Sequence, residues 1–198
     1  MKVKRMPVGV YAANCYILMD EDTKETAIID PGGDADEIKA VVDEMHGKVK
    51  YILLTHGHMD HTGASSELGE YYGAVLGINE KDERNSPRDF IAGKFYKKAE
   101  ISLEEGTILK LGNNEIKCIE TPGHTAGGMS FLVDSLLFTG DTLFSGSIGR
   151  TDLGGGNFDI IISSIRNKLM TLPDDTIVFP GHGGETTVKR ERISNPFL

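Results

Sequence analysis

Four side chains able to ligate metal fall inside one hexapeptide, His56-Gly57-His58-Met59-Asp60-His61. Imidazole and carboxylate groups brought this close would be costly to bury together unless a divalent cation compensated them. If the backbone is extended over 56–58, both imidazoles point one way, and a turn into a helix then redirects Asp60 and His61 toward a neighbouring point. One hexapeptide can thus serve two adjacent metals. Three further candidates lie on glycine turns: His124 in Thr121-Pro122-Gly123-His124-Thr125, Asp141 in Gly140-Asp141-Thr142, and His182 in Pro180-Gly181-His182-Gly183-Gly184. Each directly follows a strand-like run, with a glycine at its shoulder that lets the backbone approach closely. The sixth histidine, His46, reads as the last residue of a helix and as its terminator, not as a ligand.

A structural zinc site is usually a closed set of four ligands rich in cysteine. Seven nitrogen and oxygen donors without cysteine point instead to an open, catalytic centre of two divalent ions, zinc first, with iron or manganese as alternatives. Such a centre supports attack of a metal-bridging hydroxide on an activated carbonyl, because the cations lower the pKa of the water. Asp60 is the candidate catalytic residue, orienting the nucleophile and relaying its proton.

The elements that must position these groups alternate short strands with helices. Strands are expected over 2–6, 14–19 and 26–30, the last closing on the turn Asp30-Pro31-Gly32-Gly33. Ile38, Val41, Val42 and Met45 recur at helical spacing and predict a helix over 34–46. The apolar run 49–55 then delivers the hexapeptide at a strand-to-helix junction, with a helix resuming over 61–72 and a strand over 74–78. Residues 79–100 form the least regular stretch, where Phe90, Phe95 and Tyr96 either line a substrate entrance or anchor a long connection. In the second half, strands are expected over 108–111, 115–120, 129–133, 135–139 and 176–179, and a helix over 158–170. Gly112-Asn113-Asn114 and Val133-Asp134-Ser135 read as hairpin turns. Sheets inside and helices outside make a layered α+β or α/β arrangement of two packed halves.

Composition bounds the partners. The 198 residues suit one domain, and 39% hydrophobic with 26% charged residues is ordinary for a globular chain. With 30 acidic and 21 basic side chains, the formal charge of −9 offers no surplus for a nucleic-acid backbone. Lys94, Lys97 and Lys98, the densest basic group, read as a solvated helix face, although 85–98 is also a candidate partner surface. No run is long and apolar enough for a membrane span, the N-terminus lacks a signal-peptide core, and a cytoplasmic location is expected. Cys15 and Cys118 sit in strand-like runs and read as buried thiols of a reducing compartment. Oligomeric state, monomer or homodimer, stays open.

Taken together, Asp30-Pro31-Gly32, Thr55-His56-Gly57-His58-Met59-Asp60-His61, Pro122-Gly123-His124-Thr125, Gly140-Asp141-Thr142 and Pro180-Gly181-His182-Gly183 resemble the metallo-beta-lactamase superfamily over essentially the whole chain. The resemblance implies an α+β fold, the four-layered αββα sandwich, with the site where both sheets end. It gives His56, His58 and His124 to a first metal, Asp60, His61 and His182 to a second, and Asp141 to both.

Within that superfamily, Asn14-Cys15-Tyr16, the segment Phe144–Asp152 and the ending Pro180–Thr187 look most like short glyoxalase II-like hydrolases, which implies a small thioester as substrate. Glyoxalase II enzymes proper carry a C-terminal helical domain that grips glutathione, whereas this sequence reaches only Leu198, so a different carrier thiol is an alternative. Persulfide dioxygenases share the fold and a similar Gly149-Arg150-Thr151-Asp152 segment but hold a single iron, and a lactonase or other ester hydrolase would use the same two-metal centre. Arg150 either steadies a substrate carboxylate or, with Asp152, shapes the loop after Asp141; the loop-shaping role is preferred. Gly154-Gly155-Gly156 reads as a flexible turn because no lysine-serine motif follows, and Asn14 and Cys15 as packing residues.

Overall fold

The computed structural model describes residues 1–85 and 98–198, and its first half builds one mixed six-stranded sheet. Strands β1 (Lys2–Val8), β2 (Ala13–Met19) and β3 (Glu25–Ile29) pair antiparallel. Strands β4 (Lys48–Leu53), β5 (Val75–Ile78) and β6 (Ile101–Ser102) then add in parallel. Parallel addition needs crossovers. Helix α1 (Ala35–Glu44) joins β3 to β4, and the four-residue α2 (Met59–Thr62) with α3 (Ser65–Tyr72) joins β4 to β5. The short α4 (Glu80–Asn85) follows β5.

The second sheet has the order β14-β13-β10-β9-β8-β7. Strands β7 (Ile108–Leu111), β8 (Asn114–Glu120), β9 (Met129–Val133) and β10 (Leu136–Gly140) form an antiparallel meander. A small ribbon, β11 (Leu143–Phe144) with β12 (Ser147–Ile148), stands apart. Helix α5 (Phe158–Ser164) runs on through a π-helical turn, Ile165–Leu169, before β13 (Ile177–Pro180), β14 (Thr186–Thr187) and α6 (Val188–Ser194).

Burial explains why these segments become these elements. Every residue of β2 is buried, because helices cover one face of its sheet and the second sheet covers the other. Cys15, Ile17 and Met19 pack with Ile38, Val42 and Leu68 on the helix side. Tyr16 and Leu18 face the opposite way, into a core shared with Ile116, Phe131 and Phe138 of the second sheet. Beyond that sheet, Leu137 and Val178 pack against Ile161, Ile165 and Leu169. Three cores between four layers give the αββα sandwich, each large side chain contributing about 1.5–3 kcal/mol by leaving water.

Asp20, just past β2, joins the two sheets directly. Its Oδ1 accepts from the Thr23 N–H at 2.8 Å, and its Oδ2 accepts from the Asn113 N–H at 3.0 Å and the Asn114 side-chain amide at 2.6 Å in the β7–β8 turn. The expected helix over 61–72 is broken at Gly63-Ala64, because Gly63 lies against the Gly32 carbonyl, where a Cβ would overlap it, and the Ala64 N–H donates to Pro31 O at 2.8 Å. α1 ends at Glu44 with Met45 as its cap, so His46 is not its last residue but stands just beyond it, stopping the helix with a left-handed φ of +57. The sequence reading did not anticipate α6. Phe90, Phe95, Tyr96, Lys94 and Lys97 lie outside the described residues.

Candidate metal centre

Five strand ends converge on one edge of the sandwich. β3 delivers Asp30, β4 delivers His56 and the hexapeptide, β8 delivers His124, β10 delivers Asp141 and β13 delivers His182. His58 keeps extended backbone (φ −70, ψ 146) and α2 begins at Met59, the junction expected from the sequence. All seven sequence-predicted metal residues come together. The possible ligand atoms of His56, His58 and His124 lie within 4.8 Å of one another, and so do those of Asp60, His61 and His182. Asp141 spans the two groups: its Oδ1 is 3.4 Å from His61 Nε2, and its Oδ2 is 3.7 Å from both His124 Nε2 and His182 Nε2.

Hydrogen bonds fix which way the imidazole lone pairs point. His124 Nδ1 lies 2.7 Å from the Arg150 carbonyl, which can only accept, so Nδ1 carries the proton and Nε2 presents a lone pair. Thr55 Oγ1 donates its single proton to Asp30 Oδ2 at 2.6 Å, so His56 Nδ1, 3.0 Å from that hydroxyl, must donate and His56 Nε2 is also a lone pair. Both lone pairs converge on His58 Nδ1 at 3.0 Å, and one proton there satisfies only one of them. His61 Nδ1 donates to Asp30 Oδ2 at 3.0 Å, leaving His61 Nε2 buried without a hydrogen-bond partner, as is Asp141 Oδ1.

Charge divides the two groups, holding His56 and His58 of the first neutral and drawing positive charge to His61 and His182 of the second. Burial, then the neighbouring imidazoles His61 and His124, push His56 well below its ordinary pKa and keep it in the neutral, ligating form. Burial and His124 likewise lower His58. Burial opposes charge on His61 too, but the carboxylates of Asp30, Asp141 and Asp60 outweigh it and raise His61 to about 9. Burial pushes Asp60 upward, yet His182 and His61 bring it down to about 2. His182 is raised, first through its hydrogen bond to Asp60. Inward-facing lone pairs, orphaned buried acceptors and three carboxylates fit two divalent cations, and the donor set of nitrogen and oxygen suits zinc or iron.

The centre opens into a cavity of about 770 Å³. Its walls beyond the cluster are mostly apolar, formed by Tyr11, Met59, Phe144, Ile148 and Leu153 with Ser147 and Arg150 among them. Among the described lining residues Arg150 is the one Lys or Arg, and its guanidinium grips Asp152 through two 2.7 Å hydrogen bonds.

Sequence reasoning missed the support beneath the ligands. Asp30, read there as a turn, is buried and also accepts from the Thr55 N–H at 2.7 Å. Asn14, read as packing, donates to the Pro180 and Gly183 carbonyls at 2.9 and 3.0 Å and so holds the His182 turn. For Asp30 the signal was available: it follows a strand with glycine close by, as Asp141 does. Asn14 stood out only as part of the Asn14-Cys15-Tyr16 motif, and nothing local pointed to its partners, which are 166 and 169 residues away.

The family model described as the metallo-beta-lactamase superfamily matches residues 8–182. Over 215 aligned residues the chain is 39% identical to the hydroxyacylglutathione hydrolase GloC of Haemophilus influenzae, covering 100% of this chain and 98% of that protein. Among solved structures, the BLEG-1 B3 metallo-beta-lactamase superposes with a TM-score of 0.90 at 36% identity, covering 100% and 99% of the two chains. TTHA1623 in a di-iron-bound form superposes with a TM-score of 0.87 at 31% identity, covering 98% and 100%.

Proposed function

The chain belongs to the metallo-beta-lactamase superfamily, and from that membership and its centre we propose that it is a two-metal hydrolase of small thioesters, similar in activity to a hydroxyacylglutathione hydrolase. The observation that carries this reading is the position of Asp141 between two three-residue clusters able to hold a metal, at the floor of a largely apolar cavity. In this reading, His56, His58 and His124 would hold one cation and Asp60, His61 and His182 the other, with Asp141 placed to serve both. Divalent cations in these positions supply Lewis acidity, polarising a carbonyl and acidifying water.

The chain's own residues do the rest. Asp60, held 3.3 Å from His182 Nε2 and partly exposed to the cavity, orients the attacking water and takes its proton. Tyr11, Met59 and Leu153, exposed at the mouth, and Phe144 offer apolar surface that a bound substrate would cover, and the covered floor would then be shielded from bulk water. The histidines keep their ligand roles throughout, since a departing thiolate needs no strong acid.

Elemental analysis of protein purified anaerobically, followed by assay on S-lactoylglutathione and short acyl thioesters, tests the reading. Near two zinc, iron or manganese ions per chain with thioester turnover supports it. A single iron with persulfide-dependent oxygen uptake replaces it with an oxygen-using enzyme.

A further inference from the structure

The two loops that carry the first ligand triad come from opposite halves of the chain, and one carboxylate outside the triad joins them. Asp82, on α4 and buried, accepts from the Gly57 N–H through Oδ2 at 3.0 Å and from the Gly127 N–H through Oδ1 at 2.7 Å. Gly57 lies between His56 and His58, and Gly127 lies three residues beyond His124. The fit is close on both sides. A Cβ on Gly127 would sit 2.7 Å from Asp82 Oδ1, and one on Gly57 would sit 3.0 Å from the Asp82 carbonyl.

Asp82 is itself held in place. Its N–H donates to the Asn79 carbonyl at 3.0 Å, and the Asn79 side-chain amide donates to the Leu103 carbonyl at 2.8 Å. The clamp is thus anchored to the end of the first sheet and not to the loops it joins. Among the described residues, no hydrogen bond of Asp82 reaches Asp60, His61 or His182; the His61 imidazole rests on Asp30, and the His182 turn on Asn14 and Tyr16.

We propose that Asp82 is a positioning residue that sets the spacing of His56 and His58 against His124, and so controls the affinity of the first metal site separately from the second. With its two oxygens taken by two loops, the carboxylate converts a pair of glycine-rich turns into one rigid three-imidazole face. Removing it breaks the bond to each loop, takes the acceptor from the buried Gly127 N–H and lets the loops drift apart, whereas the second triad keeps its own supports. The proposal holds whichever reaction the centre performs.

Zinc titration of the metal-free chain against a chromophoric chelator tests it, with Asp82→Asn as the main variant and Asp82→Ala alongside. Asparagine keeps one acceptor and turns an N–H toward the other loop, so it perturbs the clamp at nearly constant volume and keeps the test alive if the alanine variant does not fold. The expected result is that one zinc weakens by roughly 10–100-fold while the other is unchanged. Combination with single-site backgrounds assigns the loss: it persists with His182→Ala, which spares the first triad, and vanishes with His124→Ala, which spares the second. Equal weakening of both zincs, no weakening, or a loss confined to the His124→Ala background overturns the assignment.

Discussion

Asp30 and His61 are joined by a 3.0 Å hydrogen bond between carboxylate Oδ2 and imidazole Nδ1, both side chains fully enclosed. The bond fixes the His61 tautomer and aims Nε2 at Asp141. The same oxygen takes the Thr55 hydroxyl proton, which in turn orients His56, so a single carboxylate reaches one imidazole of each triad. Asparagine at position 30 tolerates the positive φ of 52 that Asp30 adopts, but presents an amide N–H where His61 needs an acceptor. Asp30→Asn is expected to stay folded and to lower metal affinity by roughly 10–100-fold. Unchanged retention of zinc against a chelator would show that His61 needs no such partner.

The turn that carries His182 hangs on β2. Tyr16 donates its hydroxyl to the Pro180 carbonyl at 2.7 Å, beside the two bonds from Asn14. Tyr16→Phe should destabilise the protein by about 0.5–1.5 kcal/mol, and Asn14→Ala by about 1–3 kcal/mol because it removes two hydrogen bonds where Tyr16→Phe removes one, Tyr16 and Arg5 still donating to the Pro180 and Gly183 carbonyls. Urea unfolding gives both numbers. Loss of activity in Asn14→Ala larger than in Tyr16→Phe is expected, since only Asn14 also reaches Gly183; equal activity in the two would detach this support from the site.

How much of this was legible in the sequence depended on distance along the chain. The hexapeptide and the three glycine-flanked ligands announced themselves because each motif is local and each residue type is chemically distinctive. Strands such as β4, β9 and β10 were visible because their apolar runs are bounded by turns. Asp82 was invisible: it lies in a stretch without clear periodicity, and its partners, Gly57 and Gly127, are bare backbone groups with no residue-type signature. The break between α2 and α3 was hidden for the same reason, since it arises from the Gly32 carbonyl pressing on Gly63. Pairing that depends on backbone atoms of remote loops leaves no pattern to read.

Gly149 marks a close passage of the loop after Asp141. A Cβ there would overlap the Asp141 carbonyl and sit 3.3 Å from His124 Cβ. Because neither neighbour can move without shifting a candidate ligand, Gly149→Ala should cost about 1–3 kcal/mol in overpacking and reduce metal content. An alanine variant with full metal content and unchanged stability would mean that this loop yields freely.

Asp20 makes the clamp between the sheets sensitive to acid. Its carboxyl is held down to about 2 from the ordinary 3.8, chiefly by the Thr23 and Asn113 backbone N–H groups. A group depressed in the folded state contributes its full stability above its unfolded pKa and loses it as pH falls through its folded value. The contribution is therefore complete above about pH 4 and fades toward about pH 2. Asp20→Asn, compared with the unaltered chain by thermal unfolding of the metal-free forms, should be less stable at neutral pH, with a gap that narrows across that window. A gap independent of pH would assign the clamp to shape and not to charge.

Arg150 serves the site through its backbone. Its carbonyl accepts the His124 Nδ1 proton at 2.7 Å, while its exposed guanidinium is engaged with Asp152. Side-chain removal leaves that carbonyl in place, and exposed ion pairs contribute little to stability. Arg150→Ala is therefore expected to retain both metals and the same KM for S-lactoylglutathione. A raised KM with intact metal content would mean that the guanidinium leaves Asp152 to take a substrate carboxylate, and Asp152→Ala, which frees it, would then lower KM.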